Sequence, residues 1–280
     1  MRSRGAGSAG GPVSRPARAA ARAGRTPPPS PLLAFSELPR AMAEFSVFVA
    51  SAPLLAGVQR GDGHPVLVLP GFTTSDVATA PLRAFLRSVG YDAHGWELGR
   101  NVGPRSIGAE GRKLVDRIAA VHSATGRTVS LVGWSLGGVM ARLVSRQVPE
   151  LVRQVVSLGA PFTGSPRATN VWRAYELLAG HRVDDLYVRR QLEEGAGPPP
   201  VPSTAIWSRT DGIVAWRNCV EPYALNSDNI EVVGSHCGLA WNAAVLYAVA
   251  DRLAQREGHW VPFDRGTGLR SLLFPSSGHV

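Results

Sequence analysis

Ser135 lies in Gly133-Trp134-Ser135-Leu136-Gly137, held between two glycines directly after the apolar run Val129-Ser130-Leu131-Val132. A serine hydroxyl attacks an acyl carbon efficiently only with a base to take its proton and a third group to orient that base. Four histidines follow it: His181, His236, His259 and His279. Only His236 stands directly after a strand-like run, Ile230-Glu231-Val232-Val233, within Gly234-Ser235-His236-Cys237-Gly238. For the acid, Asp211 follows Ala205-Ile206-Trp207-Ser208 in Arg209-Thr210-Asp211-Gly212, whereas Asp184 and Asp185 fall in a helical segment and Asp228 precedes its strand. The plainer readings are a surface histidine and an ordinary Asp-Gly turn. The order Ser135, Asp211, His236, each just past a strand, favours a catalytic set. The backbone N–H groups of Phe72, in Pro70-Gly71-Phe72, and of Leu136, at the start of the next helix, are the candidate donors to an oxyanion.

The elements that would position these residues read as alternating strands and helices. Pro65–Leu69 is a continuous apolar run, as a strand buried on both faces requires. The pattern then predicts a helix over 79–89, a strand over 91–98, a long amphipathic helix over 106–123 and a strand over 128–132. A helix over 136–148 and a strand over 152–158 follow. Segment 163–202 breaks the rhythm as a mostly helical insertion closed by Pro198-Pro199-Pro200. Strands at 204–208 and 230–233 and a helix over 239–255 complete the chain, and the tail after Trp260 reads as weakly ordered. Such alternation implies an α/β fold, a mostly parallel sheet with helices on both faces.

Charge adds little to this. The net charge is +9, but the first 40 residues hold seven arginines against Glu37 alone, which leaves +3 for the rest of the chain. The remaining arginines are dispersed and Lys113 is the only lysine, so no nucleic-acid partner is expected. Residues 1–31, rich in Arg, Ala, Gly and Pro, read as a disordered extension, and 32–280 as one domain. Leu38, Met42, Phe45 and Val49 recur at helical spacing, which predicts an amphipathic helix packed on the domain by that face. The uncharged run from Phe45 to Val58 is interrupted by Pro53 and too short to span a membrane, which takes about 20 residues. No His/Cys cluster suggests a metal, and no cofactor is expected.

The chain resembles the α/β-hydrolase superfamily over about residues 62–257. The likeness is carried by VLVLPGF (66–72), LVGWSLGG (131–138), LGAPFTGS (158–165), SRTDGIV (208–214) and GSHCGL (234–239). Within that superfamily it is most similar to bacterial lipases and esterases and to GPI inositol-deacylase-like hydrolases. The resemblance implies an α/β-hydrolase fold with a helical cap or lid over 163–202. It implies cleavage of carboxylic esters, of small molecules or lipids, through an acyl-enzyme on Ser135, with His236 carrying the proton and Asp211 orienting it. Trp134, Phe72 and Phe162 are then candidates to line the substrate site, and Val171, Trp172, Tyr175, Leu177, Leu178, Leu186 and Tyr187 would give the cap an apolar surface. Acyl transfer or thioester hydrolysis uses the same three residues, and a non-catalytic binding protein is the reading from another class. A disulfide between Cys219 and Cys237 would fix the acid loop to the base loop; two free thiols are the alternative. The expected location is the cytoplasm, with peripheral contact at a lipid interface or export as alternatives. The oligomeric state is not legible.

Overall fold

The computed structural model describes residues 26–180 and 182–276. Six strands build its sheet: β1 (Pro65–Leu69), β2 (Asp92–Gly95), β3 (Val129–Trp134), β4 (Val152–Leu158), β5 (Ser203–Trp207) and β6 (Ser227–Glu231). Their order is β2-β1-β3-β4-β5-β6, and every pairing is parallel. β1, β3, β4, β5 and β6 are buried along their whole length, and β1 reads accordingly as an unbroken apolar run.

Successive side chains of β1 go to opposite faces and so to two different cores. Val66 and Val68 pack with Leu82, Phe85 and Leu86 of α4 (Ala80–Ser88) and with Val245, Leu246 and Val249 of α10 (Ala243–Leu253). Leu67 and Leu69 pack with Leu114 and Ile118 of α6 (Arg112–Thr125) and Met140 and Val144 of α7 (Leu136–Gln147). The register pairs Leu69 with Gly133, Trp134 with Leu158 and Trp207 with Glu231. The strands therefore finish in line, and the loops bearing Phe72, Ser135, Asp211 and His236 all leave the same edge of the sheet.

Several boundaries differ from those the sequence suggests. The helix expected over 106–123 is split into α5 (Pro104–Ile107), a single 3-10 turn and α6, because Gly108 and Gly111 take positive φ of 76° and 77°. The strand expected over 91–98 shrinks to β2. The last long helix begins only at Ala243, where the Asn242 side chain accepts the N–H groups of Ala244 and Val245. The tail after Trp260 is not loose: α11 (Leu269–Leu273) leads to Phe274, which packs edge-on against Phe263 with ring centroids 4.8 Å apart in the core.

The largest difference lies at the N-terminus. Helix α1 (Pro31–Phe35), capped by the Ser30 side chain, runs into α2 (Glu37–Ala50), followed by α3 (Ala52–Leu55). Helix α2 forms, but the face expected to pack inward is turned out: Leu38 is 72% exposed and Met42 69%. Glu37 and Ala41 face the domain instead, both nearly inaccessible, with Glu44 and Phe48 on the same side. Periodicity finds a stripe but does not say which stripe docks, and here two carboxylates have backbone donors to meet. Of the extension expected to be disordered, residues 1–25 lie outside the described residues, while Pro29 and Ser30 are ordered contacts. Among the described residues, no helix is long and apolar enough to cross a membrane.

Candidate active site

Ser135 sits between β3 and α7 at φ 54° and ψ −123°, a conformation sparsely populated for any residue with a Cβ. The bend closes because its neighbours lack side chains. A Cβ on Gly137 would lie 2.5 Å from the Leu69 carbonyl oxygen, and one on Gly71 would lie 3.4 Å from the Ser135 Cβ. Those close approaches bring the β1 loop against the serine. Ser135 N donates to the Leu158 carbonyl at 2.8 Å, which ties the bend to β4.

The three residues singled out from the sequence meet here. His236 Nε2 lies 2.9 Å from Ser135 Oγ, and His236 Nδ1 lies 2.6 Å from Asp211 Oδ2. The other Asp211 oxygen accepts the N–H groups of Ile213 (2.8 Å) and Val214 (2.7 Å), so the carboxylate is held by its own loop. Burial opposes charge on His236, but the adjacent Asp211 charge and hydrogen bond, with a further contribution from Glu37, outweigh it and raise the imidazole above its ordinary value. Phe72 and Leu136 flank the serine at the cavity described below; among the described residues neither backbone N–H has a protein acceptor. Leu136 opens α7, where an N–H has no partner within the helix.

A second serine–histidine–aspartate chain lies at the opposite edge of the sheet, and sequence reading missed it. His64 Nε2 is 2.9 Å from Ser130 Oγ, and its Nδ1 meets Asp62 Oδ1. The bond pattern is the same but the surroundings differ. Ser130 and His64 are inaccessible, Ser130 lies within regular strand, and burial pulls His64 below its ordinary value. This chain ties strand starts together and has no room for a substrate.

Beside Ser135 opens an apolar cavity of about 110 Å³. Phe72, Leu136 and Val139 line it from the sheet side, and Val171, Trp172, Tyr175 and Val183 from segment 163–202. That segment contains α8 (Trp172–Ala179) and α9 (Leu186–Ala196). Phe72 and Tyr175 approach with ring centroids 5.5 Å apart. Two expected lining residues are elsewhere. Trp134 is buried behind His236, its Nε1 donating to the His236 carbonyl at 3.0 Å, because the reversal at Ser135 sends the preceding side chain into the core. Phe162 is fully buried beneath the Arg142 guanidinium, 3.7 Å above its ring. Leu177 and Leu186, at 81% and 75% exposure, face outward, Leu178 is partly exposed, and the Tyr187 side chain lies outside the described residues.

The two cysteines are free thiols, so the bridge envisaged between them is not formed. Cys219 packs with Ala160, Phe162 and Trp207, and burial pushes it well above the usual thiol value. Cys237 is pushed up to about 12 by burial and then by the neighbouring Glu37. Glu37 is the residue that sequence reading overlooked: an acid within a helical stripe gives no sign that its carboxylate is buried.

No protein-family model matches the chain. Solved structures do. Lipase B of Aspergillus fumigatus superposes with a TM-score of 0.53 at 18% identity, over 72% of this chain and 55% of that one. The mature Bacillus licheniformis lipase BlEst2 gives 0.52 at 18% identity, over 68% and 92% of the two chains. The chain has the α/β-hydrolase fold. A structure from the metagenome-derived lipolytic enzymes LipS and LipT gives 0.50 at 15% identity, over 70% and 93%. Within this hydrolase fold, segment 163–202 sits between β4 and β5, over the edge from which Ser135 emerges. The chain spans only about half the length of the Aspergillus lipase.

Proposed function

We propose that this protein hydrolyses carboxylic esters through an acyl-enzyme on Ser135. The observation that carries the reading is Ser135 itself: a strained serine, 2.9 Å from an imidazole whose far nitrogen faces a buried carboxylate, opening onto an apolar cavity. In the first step Ser135 Oγ attacks the ester carbonyl carbon while its proton passes to His236 Nε2, and Asp211 stabilises the imidazolium. The carbonyl oxygen, now negative, accepts from the N–H groups of Phe72 and Leu136, each contributing about 3 kcal/mol to the transition state. The tetrahedral intermediate collapses, the C–O bond to the alcohol breaks, and His236 returns the proton to the leaving oxygen. Water then repeats the sequence and releases the acid.

The cavity favours a small ester. It is well below the roughly 300–1,000 Å³ typical of sites for drug-sized ligands. Residues 163–202 act as its cap, and residues 32–276 form one unit with it. The lipolytic neighbours accord with this chemistry.

A fluorophosphonate probe followed by a p-nitrophenyl ester series tests the reading. Wild type should label and should turn over acetate and butyrate esters at least about tenfold better than palmitate, and Ser135→Ala should do neither. Equal labelling of wild type and Ser135→Ala would sink it.

The outer face of α1–α2 favours one addition, contact with an anionic lipid surface. Leu32, Phe35, Leu38, Met42 and Val49 are all more than half exposed on two consecutive helices, a stripe that water does not favour. The 30 residues before α1 hold six arginines and no acid.

A further inference from the structure

We infer that Glu37 is a positioning residue of this reaction, its one carboxylate joining the loop that carries Asp211 to the loop that carries His236. The inference rests on the serine-hydrolase reading above. Glu37 Oε1 accepts the N–H of Gly212 at 2.7 Å and that of His236 at 3.1 Å, and Oε2 accepts the N–H of Cys237 at 2.9 Å. Gly212 directly follows Asp211, so donors adjoining both members of the pair converge on one side chain. These loops lie beyond the sheet, where no strand neighbour can take their N–H groups.

The surroundings fit that role better than simple packing. Glu37 is 2% exposed, and burying a carboxylate is costly unless hydrogen bonds and a cation satisfy it. Here three N–H groups and the Arg40 guanidinium do so. Arg40 reaches Glu37 Oε1 at 2.8 Å and, with its other amino group, the Thr210 carbonyl at 2.8 Å, which adds a second tie to the Asp211 loop. Two turns along α2, Glu44 repeats the pattern on the neighbouring donors, accepting Ser235 N–H at 2.7 Å and Asn242 Nδ2 at 3.0 Å. The loops come flush against the N-terminal helices: a Cβ on Gly212 would lie 2.4 Å from the Leu33 carbonyl oxygen, and one on Gly238 would lie 2.2 Å from Glu44 Oε2. A helix docked only to cover the core would turn Leu38 and Met42 inward. This one turns its acids inward and leaves those residues in water.

Two consequences follow for the chemistry. The 2.6 Å contact between His236 and Asp211 is set by two loops whose mutual placement Glu37 fixes, and catalytic geometry must be held to about 0.5 Å. Glu37 also places negative charge near the imidazole, where it favours the imidazolium that forms as Ser135 attacks. The charged groups around His236 are Asp211 on the β5 loop and Glu37 with its Arg40 on α2, with Glu44 of the same helix on the N–H of Ser235, the residue before His236. Ser135, Trp134 and Gly159 also lie against it.

The test uses the full chain with Glu37→Gln and Glu37→Asp, measuring kcat, KM, thermal midpoint and the pH dependence of kcat/KM on a p-nitrophenyl ester. The His236 ring is also titrated by NMR in a Ser135→Ala background. Glu37→Gln should lower kcat about tenfold or more, leave KM within about twofold, and move the acid limb and the His236 titration to lower pH, since a one-ångström misplacement can cost on the order of 100-fold. Glu37→Asp keeps the charge on a shorter arm. It should restore much of the titration while kcat stays low, because the carboxylate no longer spans both loops. A kcat per folded molecule equal to wild type in both variants, with an unmoved His236 titration, overturns the inference even if the thermal midpoint falls. Should Glu37→Gln fail to fold, Glu37→Asp decides by the same readouts. If wild type neither labels nor hydrolyses, the hydrolase reading fails, and the His236 titration alone decides whether Glu37 acts on that ring.

Discussion

Replacing Asp211 by Asn tests whether the acid works through the orientation of the His236 proton. Asp211 Oδ1 accepts two backbone N–H groups, from Ile213 and Val214, while Oδ2 faces His236 Nδ1. An asparagine can turn its oxygen to only one of these sites. Facing the loop, it keeps both N–H bonds; facing the histidine, it leaves two donors against an NH2 group, at about 1–3 kcal/mol for each buried group left unsatisfied. The loop therefore wins by about 2–6 kcal/mol, and the amide NH2 points at Nδ1. His236 must then accept at Nδ1 and carry its proton on Nε2, facing Ser135, where it cannot act as a base. The expected loss in kcat is about 10⁴-fold, near 5.4 kcal/mol, with KM little changed. Loss of the Asp211 charge should also carry the His236 titration downward, since that charge and its hydrogen bond hold it up against burial. The assay is steady-state hydrolysis of p-nitrophenyl acetate, with the folded fraction checked by circular dichroism. A loss below about 100-fold would mean that the amide had flipped and that charge, not tautomer, is what Asp211 supplies.

Two further outcomes separate look-alike features. Ser130→Ala, which breaks the buried chain through His64, should leave fluorophosphonate labelling and kcat within about twofold of wild type and lower only the thermal midpoint; loss of labelling would mean that the wrong serine has been assigned. Replacing Leu38, Met42 and Val49 by serine should abolish co-sedimentation with phosphatidylglycerol vesicles and leave hydrolysis of a soluble ester unchanged. Wild type that stays in the supernatant removes the lipid-surface reading, and a concentration-dependent mass in wild type alone would assign the face to a second copy of the chain.

What was legible in the sequence depended on how many constraints acted at once on a residue. β4 was read with its observed ends because Val152, Val155, Val156 and Leu158 mark a strand and Pro149 and Gly159 bracket it, although Arg153, Gln154 and Ser157 interrupt the apolar run. Ser135, Asp211 and His236 were legible as a set because a parallel sheet puts every strand end on one edge, so chain order stands in for spatial position. The expected helix over 106–123 was wrong in its first turns because apolar periodicity runs straight through Gly108 and Gly111, whose backbone does not. Trp134 and Phe162 were placed in the site by adjacency to motifs, yet direction off the backbone sends both inward. Helix α2 shows the deepest limit. Its hydropathy pattern is real, but which side meets the domain was decided by unpaired N–H groups two hundred residues away, and a one-dimensional pattern carries no trace of them.

The segment over the cavity is fastened at both ends by groups from the body of the domain. At its start, Asn170 N donates to the Ile213 carbonyl at 2.8 Å and Ala215 N to the Ala168 carbonyl at 3.0 Å, in the stretch that follows Asp211. At its end, Arg142 donates to the Gly195 and Gly197 carbonyls at 3.0 and 2.8 Å while paired with buried Glu221. An arch clamped at both feet bends at its crown and does not swing like a door. Widening of the cavity is therefore confined to the span that carries Trp172, Tyr175 and Val183, and strain at the near foot passes directly into the loop that holds the acid.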